Sequence, residues 1–255
     1  MDLKNKVFLV AGVGTGLGTA VVSLLASEGA TVIAIARTAK ALDPILAHSR
    51  TRGWKVSGRT ADVLNQTDVD RAVRGALEEF GHLDGVSVNV GHWLGTETLL
   101  HEMTDEQWST IVRDNLEPTF RLARATFPHL VERGGGSVVL VSAAPSVRAA
   151  GSASYSAAKA GVAELATKLA RDYRRFGIRV NAVLPGSMSR QVEGLDPPPT
   201  DAPVGLKDET PTSPWEVGRM IRYLLSDESR WITGSLNLVD GGLSTGGAEP
   251  GSTPK

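Results

Sequence analysis

Residues 7–18 read Val7-Phe8-Leu9-Val10-Ala11-Gly12-Val13-Gly14-Thr15-Gly16-Leu17-Gly18. An unbroken apolar run such as Val7–Ala11 suits a short strand buried on both faces, as in a parallel sheet. A glycine turn follows, and helical periodicity runs from about Gly16 to Glu28 before Gly29 ends it. Glycine allows a sharp turn and a close approach of backbone to a diphosphate. The helix behind it offers unpaired N–H groups and a positive dipole end to such an anion. The spacing is Gly-x-x-x-Gly-x-Gly, which also fits a plain strand-to-helix turn, so a cofactor needs support from elsewhere in the chain.

Outward from this unit the pattern repeats. Thr31–Ala36, Val56–Ala61, Gly85–Val90, Ser137–Val141, Arg179–Leu184 and Leu236–Val239 read as further strands, with helical periodicity between most of them. Apolar strands alternating with helices imply a parallel sheet covered on both faces. With right-handed crossovers this becomes a doubly wound, Rossmann-like α/β/α sandwich in a single domain. That domain is expected over residues 1–243. Prolines crowd the stretch 187–214, marking a lid with little helix, and 244–255 reads as a disordered tail.

Composition narrows the function. The chain has 255 residues, 41% of them hydrophobic and 22% charged, and a formal net charge of −1, so nucleic acid and anionic membranes are not expected partners. The absence of cysteine rules out disulfides and thiolate chemistry. The five histidines, 48, 82, 92, 101 and 129, include no two at metal-ligand spacing on one helix face. His92 and Trp93 stand where they could reach a substrate, whereas Trp215 and Trp231 are expected to pack structurally. No apolar window approaches the roughly 20 residues of a membrane helix. A soluble, cytoplasmic protein is the expectation.

Two further places carry chemistry. The second strand ends at Ala36-Arg37, where an acid would bind the ribose hydroxyls of an unphosphorylated dinucleotide. Arginine instead suits a 2′-phosphate by charge and by its planar fork of donors, so NADP(H) is preferred over NAD(H); a solvated residue at a strand end is the plainer alternative. The second place is Tyr155-Ser156-Ala157-Ala158-Lys159, with helical periodicity continuing beyond it. Tyr155 and Lys159 therefore share a helix face. A cation about 5 Å from a phenol, at an effective dielectric near 20, contributes roughly 3 kcal/mol and would lower its pKa by about two units. That brings a poor acid–base group closer to the useful range.

In order along the chain come the glycine turn, Asp62-Val63, Asn89-Val90-Gly91, Asn115, Ser142, Tyr155/Lys159, Asn181-Ala182-Val183-Leu184-Pro185-Gly186, Ile232-Thr233-Gly234 and Val239-Asp240-Gly241-Gly242. With this series the sequence resembles the single-domain short-chain dehydrogenase/reductase family over about residues 4–243. The resemblance implies hydride transfer between a nicotinamide dinucleotide and a carbonyl or alcohol. Tyr155 would move the proton, Lys159 would hold the ribose and tune the phenol, and Ser142 would bond the substrate oxygen. Asn115 would hold a relay water, a role that Pro118 supports by leaving the carbonyl of Asp114 without its helical donor. Gly12, Gly14, Thr15, Gly16, Leu17, Arg37, Asp62, Val63, Asn89, Pro185, Gly186 and Met188 would line the cofactor, together with Tyr155 and Lys159. A homodimer or homotetramer is implied as well.

The sequence also departs from the family pattern. Ser142 precedes Tyr155 by thirteen positions, the usual separation, yet the strand pattern 136–143 fits better with Ala143 in the serine slot. If Ala143 holds it, a weak enzyme or a non-catalytic NADP(H)-binding regulator becomes the rival reading. One asparagine of an expected pair is Val88, and Arg190 stands where a threonine normally binds the carboxamide. A hydrolase triad lacks a histidine partner for Ser142.

Overall fold

The apolar runs become strands β1 (Val7–Ala11), β2 (Thr31–Ala36), β3 (Lys55–Thr60), β4 (Gly85–Val88), β5 (Gly136–Val141), β6 (Ile178–Pro185) and β7 (Leu236–Val239). They are joined by helices α1 (Leu17–Ser27), α2 (Ala39–Arg52), α3 (Gln66–Phe80), α4 (Asp105–Arg133), α5 (Pro145–Ala150), α6 (Ala153–Tyr173) and α7 (Pro214–Leu225). These elements belong to a computed structural model that describes residues 3–93, 98–201 and 211–245. All neighbouring strands pair in parallel, in the order β3-β2-β1-β4-β5-β6-β7.

The period-two alternation of β1 shows how the layers form. Val7, Leu9 and Ala11 face a core layer shared with Val73 of α3, Leu122 of α4 and Val162 of α6. Phe8 and Val10 face the other layer, with Leu25 of α1, Ile45 of α2 and Ile221 of α7. Helices on both faces of one parallel sheet give the expected doubly wound sandwich. Strand order reverses between β1 and β4, and chains leaving their carboxyl ends in opposite directions open a crevice there.

Two local expectations are revised, for β4 and for Trp231. β4 ends at Val88 rather than Val90, because the chain leaves the sheet at Asn89 to enter the crevice. α4 remains one helix of 29 residues with Pro118 and Pro128 inside it. Trp231 is not packed: it is 97% exposed, whereas Trp215 is buried against Ala20 and Leu24. Trp231 lies just beyond the turn Asp227–Ser229 and borders an open depression at the amino ends of the strands, beside Arg133, Ile178 and Arg179. Within the expected lid, residues 202–210 lie outside the described residues, as do 246–255 of the expected tail. Ser244, near the start of that tail, is anchored, its N–H donating to Asp240 at 2.9 Å.

Candidate active site

At the crevice, Gly12 adopts φ +86°, and a Cβ there would lie 2.9 Å from the backbone carbonyl of Asn89. Glycine thus lets β1 and β4 deliver their loops to one point. α1 begins at Gly16 without a side-chain cap, and Gly14 faces open space. The Asn89 Nδ2 is buried without a partner, while its Oδ1 accepts from the Ser87 hydroxyl at 3.0 Å. Arg37 is exposed at the end of β2 and makes no ion pair among the described residues. Asp62 and Val63 follow the neighbouring end of β3, with Asp62 Oδ1 accepting from the N–H of Leu64 at 3.0 Å. An uncapped helix terminus, an orphaned amide and a free guanidinium fit an anionic dinucleotide.

Thr15 turns its side chain towards the segment after β6. Its hydroxyl donates to the Arg190 carbonyl at 3.1 Å, and its own carbonyl accepts from Val192 N–H at 2.9 Å. The segment 187–192 is thereby strapped over the glycine turn, 2.7 Å from where a Cβ on Gly16 would stand. Its other side is held by Thr212, which exchanges backbone hydrogen bonds with Ser187 and Ser189 at 2.7 and 3.2 Å. Pro185 and Gly186, both buried, and the half-buried Met188 lead from β6 into this strap.

Ser152 caps α6 by accepting the N–H of Tyr155 at 3.3 Å, which fixes the start of the helix and the face on which Tyr155 and Lys159 lie. Both line one cavity of about 720 Å³, together with Leu17, Asn89, Pro185, Gly186 and Met188. Lys159 Nζ donates to the carbonyls of Val90 at 3.2 Å and Val141 at 3.3 Å. A Cβ at Gly91 would lie 2.6 Å from that nitrogen, so any larger residue there would displace the amine from this position. Asn115 fixes the same loop: Nδ2 donates to His92 O at 3.0 Å and Ile111 O at 2.9 Å, and Oδ1 accepts His92 N–H at 2.9 Å. Both amide protons are spent on backbone, so a relay water would have to bond Oδ1 or a nearby carbonyl.

The electrostatics depart from the sequence expectation. Burial pushes the Tyr155 phenol up to about 12, where a lowering had been expected. The reason is that only 8% of the residue is exposed and the Lys159 amine is drawn towards two backbone carbonyls. Burial likewise brings Lys159 down to about 8.

Ser142 and Ala143 both line the cavity and differ in what they touch. The Ser142 hydroxyl donates to the backbone carbonyl of Lys159 at 2.6 Å, on α6. Ala143 packs with Tyr155 and Ile111 in a small apolar cluster, with Val147 against it. His92 and Trp93, expected within reach of a substrate, both line this cavity, and the Trp93 ring stands edge-on to Tyr155 at 4.8 Å between centroids, with Gly151 making room for both rings. One feature had no signal in the sequence: Ser146 bonds Ser244 across 98 residues of chain. Among the described residues no group of acids and histidines could hold a metal ion.

A parallel sheet with a glycine turn at its reversal point, and a buried tyrosine–lysine pair facing that turn, is the frame of a dinucleotide-dependent oxidoreductase. The family model for short chain dehydrogenase matches residues 6–195. The 3-oxoacyl-[acyl-carrier-protein] reductase FabG of Thermotoga maritima is 31% identical over 95% of this chain and 99% of its own. The cis-4-hydroxycyclohexanecarboxylate dehydrogenase of Sinomonas cyclohexanicum is 34% identical over 94% of this chain and 97% of its own. Among solved structures, a 3-ketoacyl-ACP reductase from Sinorhizobium meliloti superposes with a TM-score of 0.81 at 31% identity, covering 94% of this chain and 99% of that one. The chain belongs to the short-chain dehydrogenase/reductase family, an oxidoreductase family acting on carbonyl and hydroxyl groups.

Proposed function

We propose that this chain is an NADP(H)-dependent carbonyl reductase or alcohol dehydrogenase in which Tyr155 moves the proton. The observation that carries this is the buried Tyr155–Lys159 pair lining one cavity with the residues of the crevice. Gly12–Leu17, Asn89 and Pro185–Met188 would hold a nicotinamide dinucleotide, which would supply or accept the hydride. In the reductive direction the Tyr155 hydroxyl gives its proton to the substrate oxygen as that oxygen gains charge. Burial keeps the phenol protonated at neutral pH, the state this direction needs. The Lys159 ammonium then offsets the phenolate charge, and Asn115 keeps the Val90 carbonyl where it holds the amine.

Arg37 supports the choice of NADP(H), since a free guanidinium at the end of β2 suits a 2′-phosphate. Trp93, Val147, Ala150 and Leu243 give the cavity an apolar wall, suited to a ketone with an apolar body. Leu236 at 50% and Leu238 at 45% leave β7, the edge strand of the sheet, with exposed apolar side chains, which favours a homodimer or homotetramer. Among the described residues no helix is long and apolar enough to cross a membrane.

The test is oxidation of NADPH and of NADH by the purified chain with acetoacetyl-N-acetylcysteamine, 4-oxocyclohexanecarboxylate and acetophenone. NADPH should be preferred, and Arg37→Ala should raise its KM by about 10-fold or more while leaving that of NADH within twofold, as expected for a charged hydrogen bond worth roughly 1.5–3 kcal/mol. Tight NADPH binding without its oxidation on any ketone would favour the non-catalytic rival and contradict the proposal.

A further inference from the structure

We infer that Ser146 supplies a second hydrogen bond to the substrate oxygen, standing in for the hydroxyl that Ala143 lacks and Ser142 directs elsewhere. The inference rests on the reading of Tyr155 as proton donor. As a carbonyl becomes an alkoxide, charge gathers on one oxygen, and a preorganised donor beside the proton donor stabilises it.

The hydroxyls around Tyr155 can be taken in turn. That of Ser142 is committed to the Lys159 carbonyl. Ser152 and Ser154 pair with each other at 3.0 Å, Ser152 also accepts the Tyr155 N–H, and Ser154 is fully buried. Ser187 and Ser189 line the cavity from the strap, on the side of the glycine turn. Ser146 remains. It sits at the second residue of α5, on the wall that Ala143 begins, and it lines the cavity with Ala143, Tyr155 and Lys159.

Its bonding leaves the needed proton uncommitted. The Ser146 N–H donates to Ser244 Oγ at 3.2 Å, and the Ser244 hydroxyl donates to Ser146 Oγ at 3.0 Å. Ser146 thus accepts a hydrogen bond, and no acceptor among the described residues takes its own O–H. A hydroxyl that accepts one hydrogen bond donates a stronger one, so the chain Ser244–Ser146–substrate is polarised towards the substrate. Ser244 is itself held in place by the Asp240 carboxylate, which also accepts the N–H of Gly242 at 3.0 Å. Ser146 would touch substrate; Ser244 is a positioning residue.

The test compares the wild-type chain with Ser146→Ala, Ser146→Thr, Ser244→Ala, Tyr155→Phe and the double variant Ser146→Ala/Ala143→Ser. Substrates are NADPH with 4-oxocyclohexanecarboxylate or acetoacetyl-N-acetylcysteamine, and thermal melts verify folding. Ser146→Ala should lose about 10²-fold in kcat, the scale of one lost oxyanion donor, with KM within about threefold. Ser146→Thr should keep the rate, and Ser244→Ala should lose roughly fivefold in kcat by relaxing the donor. Ala143→Ser should restore most of the loss in the double variant. Full kcat in Ser146→Ala, or no recovery in the double variant, overturns the inference. Turnover persisting in Tyr155→Phe overturns the underlying mechanism instead, and absence of turnover by the wild-type chain overturns both.

Discussion

The two sides of Tyr155 are built from opposite materials. Towards Lys159 the surroundings are polar: the carbonyls of Val90 and Val141 hold the amine, and Asn115 locks the loop that carries one of them. Towards Ala143 they are apolar: Ala143, Ile111 and Val147 pack against the tyrosine and Trp93 stands edge-on to its ring. Under the proposed function, the groups that would handle proton and charge are concentrated on one side of the phenol, while the side that would steady the substrate oxygen has an alanine, Ala143, against the ring. The contrast separates two tasks, control of the proton and stabilisation of the alkoxide, which different substitutions can break independently.

The largest effect is expected on the polar side. Lys159→Met should lower kcat/KM by roughly 10²–10³-fold, within the range of acid–base contributions. The pH dependence follows from the amine. Lys159 is charged below about 8, so reduction should hold a plateau at lower pH and slow as pH rises through that value. A profile of kcat/KM between pH 6 and 10 checks this; the inflection near 8 should vanish in Lys159→Met. Asn115→Ala comes next. It leaves the buried carbonyl of Ile111 and both backbone groups of His92 without their side-chain partner, which should destabilise the fold by about 1–3 kcal/mol, read from denaturant melts, and cut the rate about tenfold by loosening Val90. The smallest effect is a gain on the apolar side. Ala143→Ser alone should raise kcat by about 2- to 10-fold, one net hydrogen bond, and an unchanged or lower kcat would mean that this side does not face the reacting oxygen.

The fold was readable because its strands are written as continuous runs such as Val32-Ile33-Ala34-Ile35, whose burial on both faces leaves little choice of element. The Tyr155–Lys159 face was readable for the same local reason, a helical repeat. What could not be read depends on distance in space. Whether Ser142 or Ala143 meets the phenol turns on a single residue in the loop after β5, and either register leaves the local pattern intact. The sign of the Tyr155 shift was missed because one neighbouring charge was weighed, whereas burial by residues from several elements sets the outcome. The bond from Thr15 to Arg190 spans 175 residues, and nothing in a glycine turn announces that its threonine holds down a strap. An aromatic residue near a strand suggests packing, yet Trp231 lies in an open depression at the amino ends of the strands, where nothing in the local pattern marks its exposure.

The most direct test of the proton role is Tyr155→Phe, followed by NADPH fluorescence titration and by turnover of 4-oxocyclohexanecarboxylate or acetoacetyl-N-acetylcysteamine. Removing one hydroxyl should leave NADPH binding within about threefold while kcat falls by roughly 10²–10⁴-fold. A variant that turns over at the wild-type rate would show that the proton comes from another group.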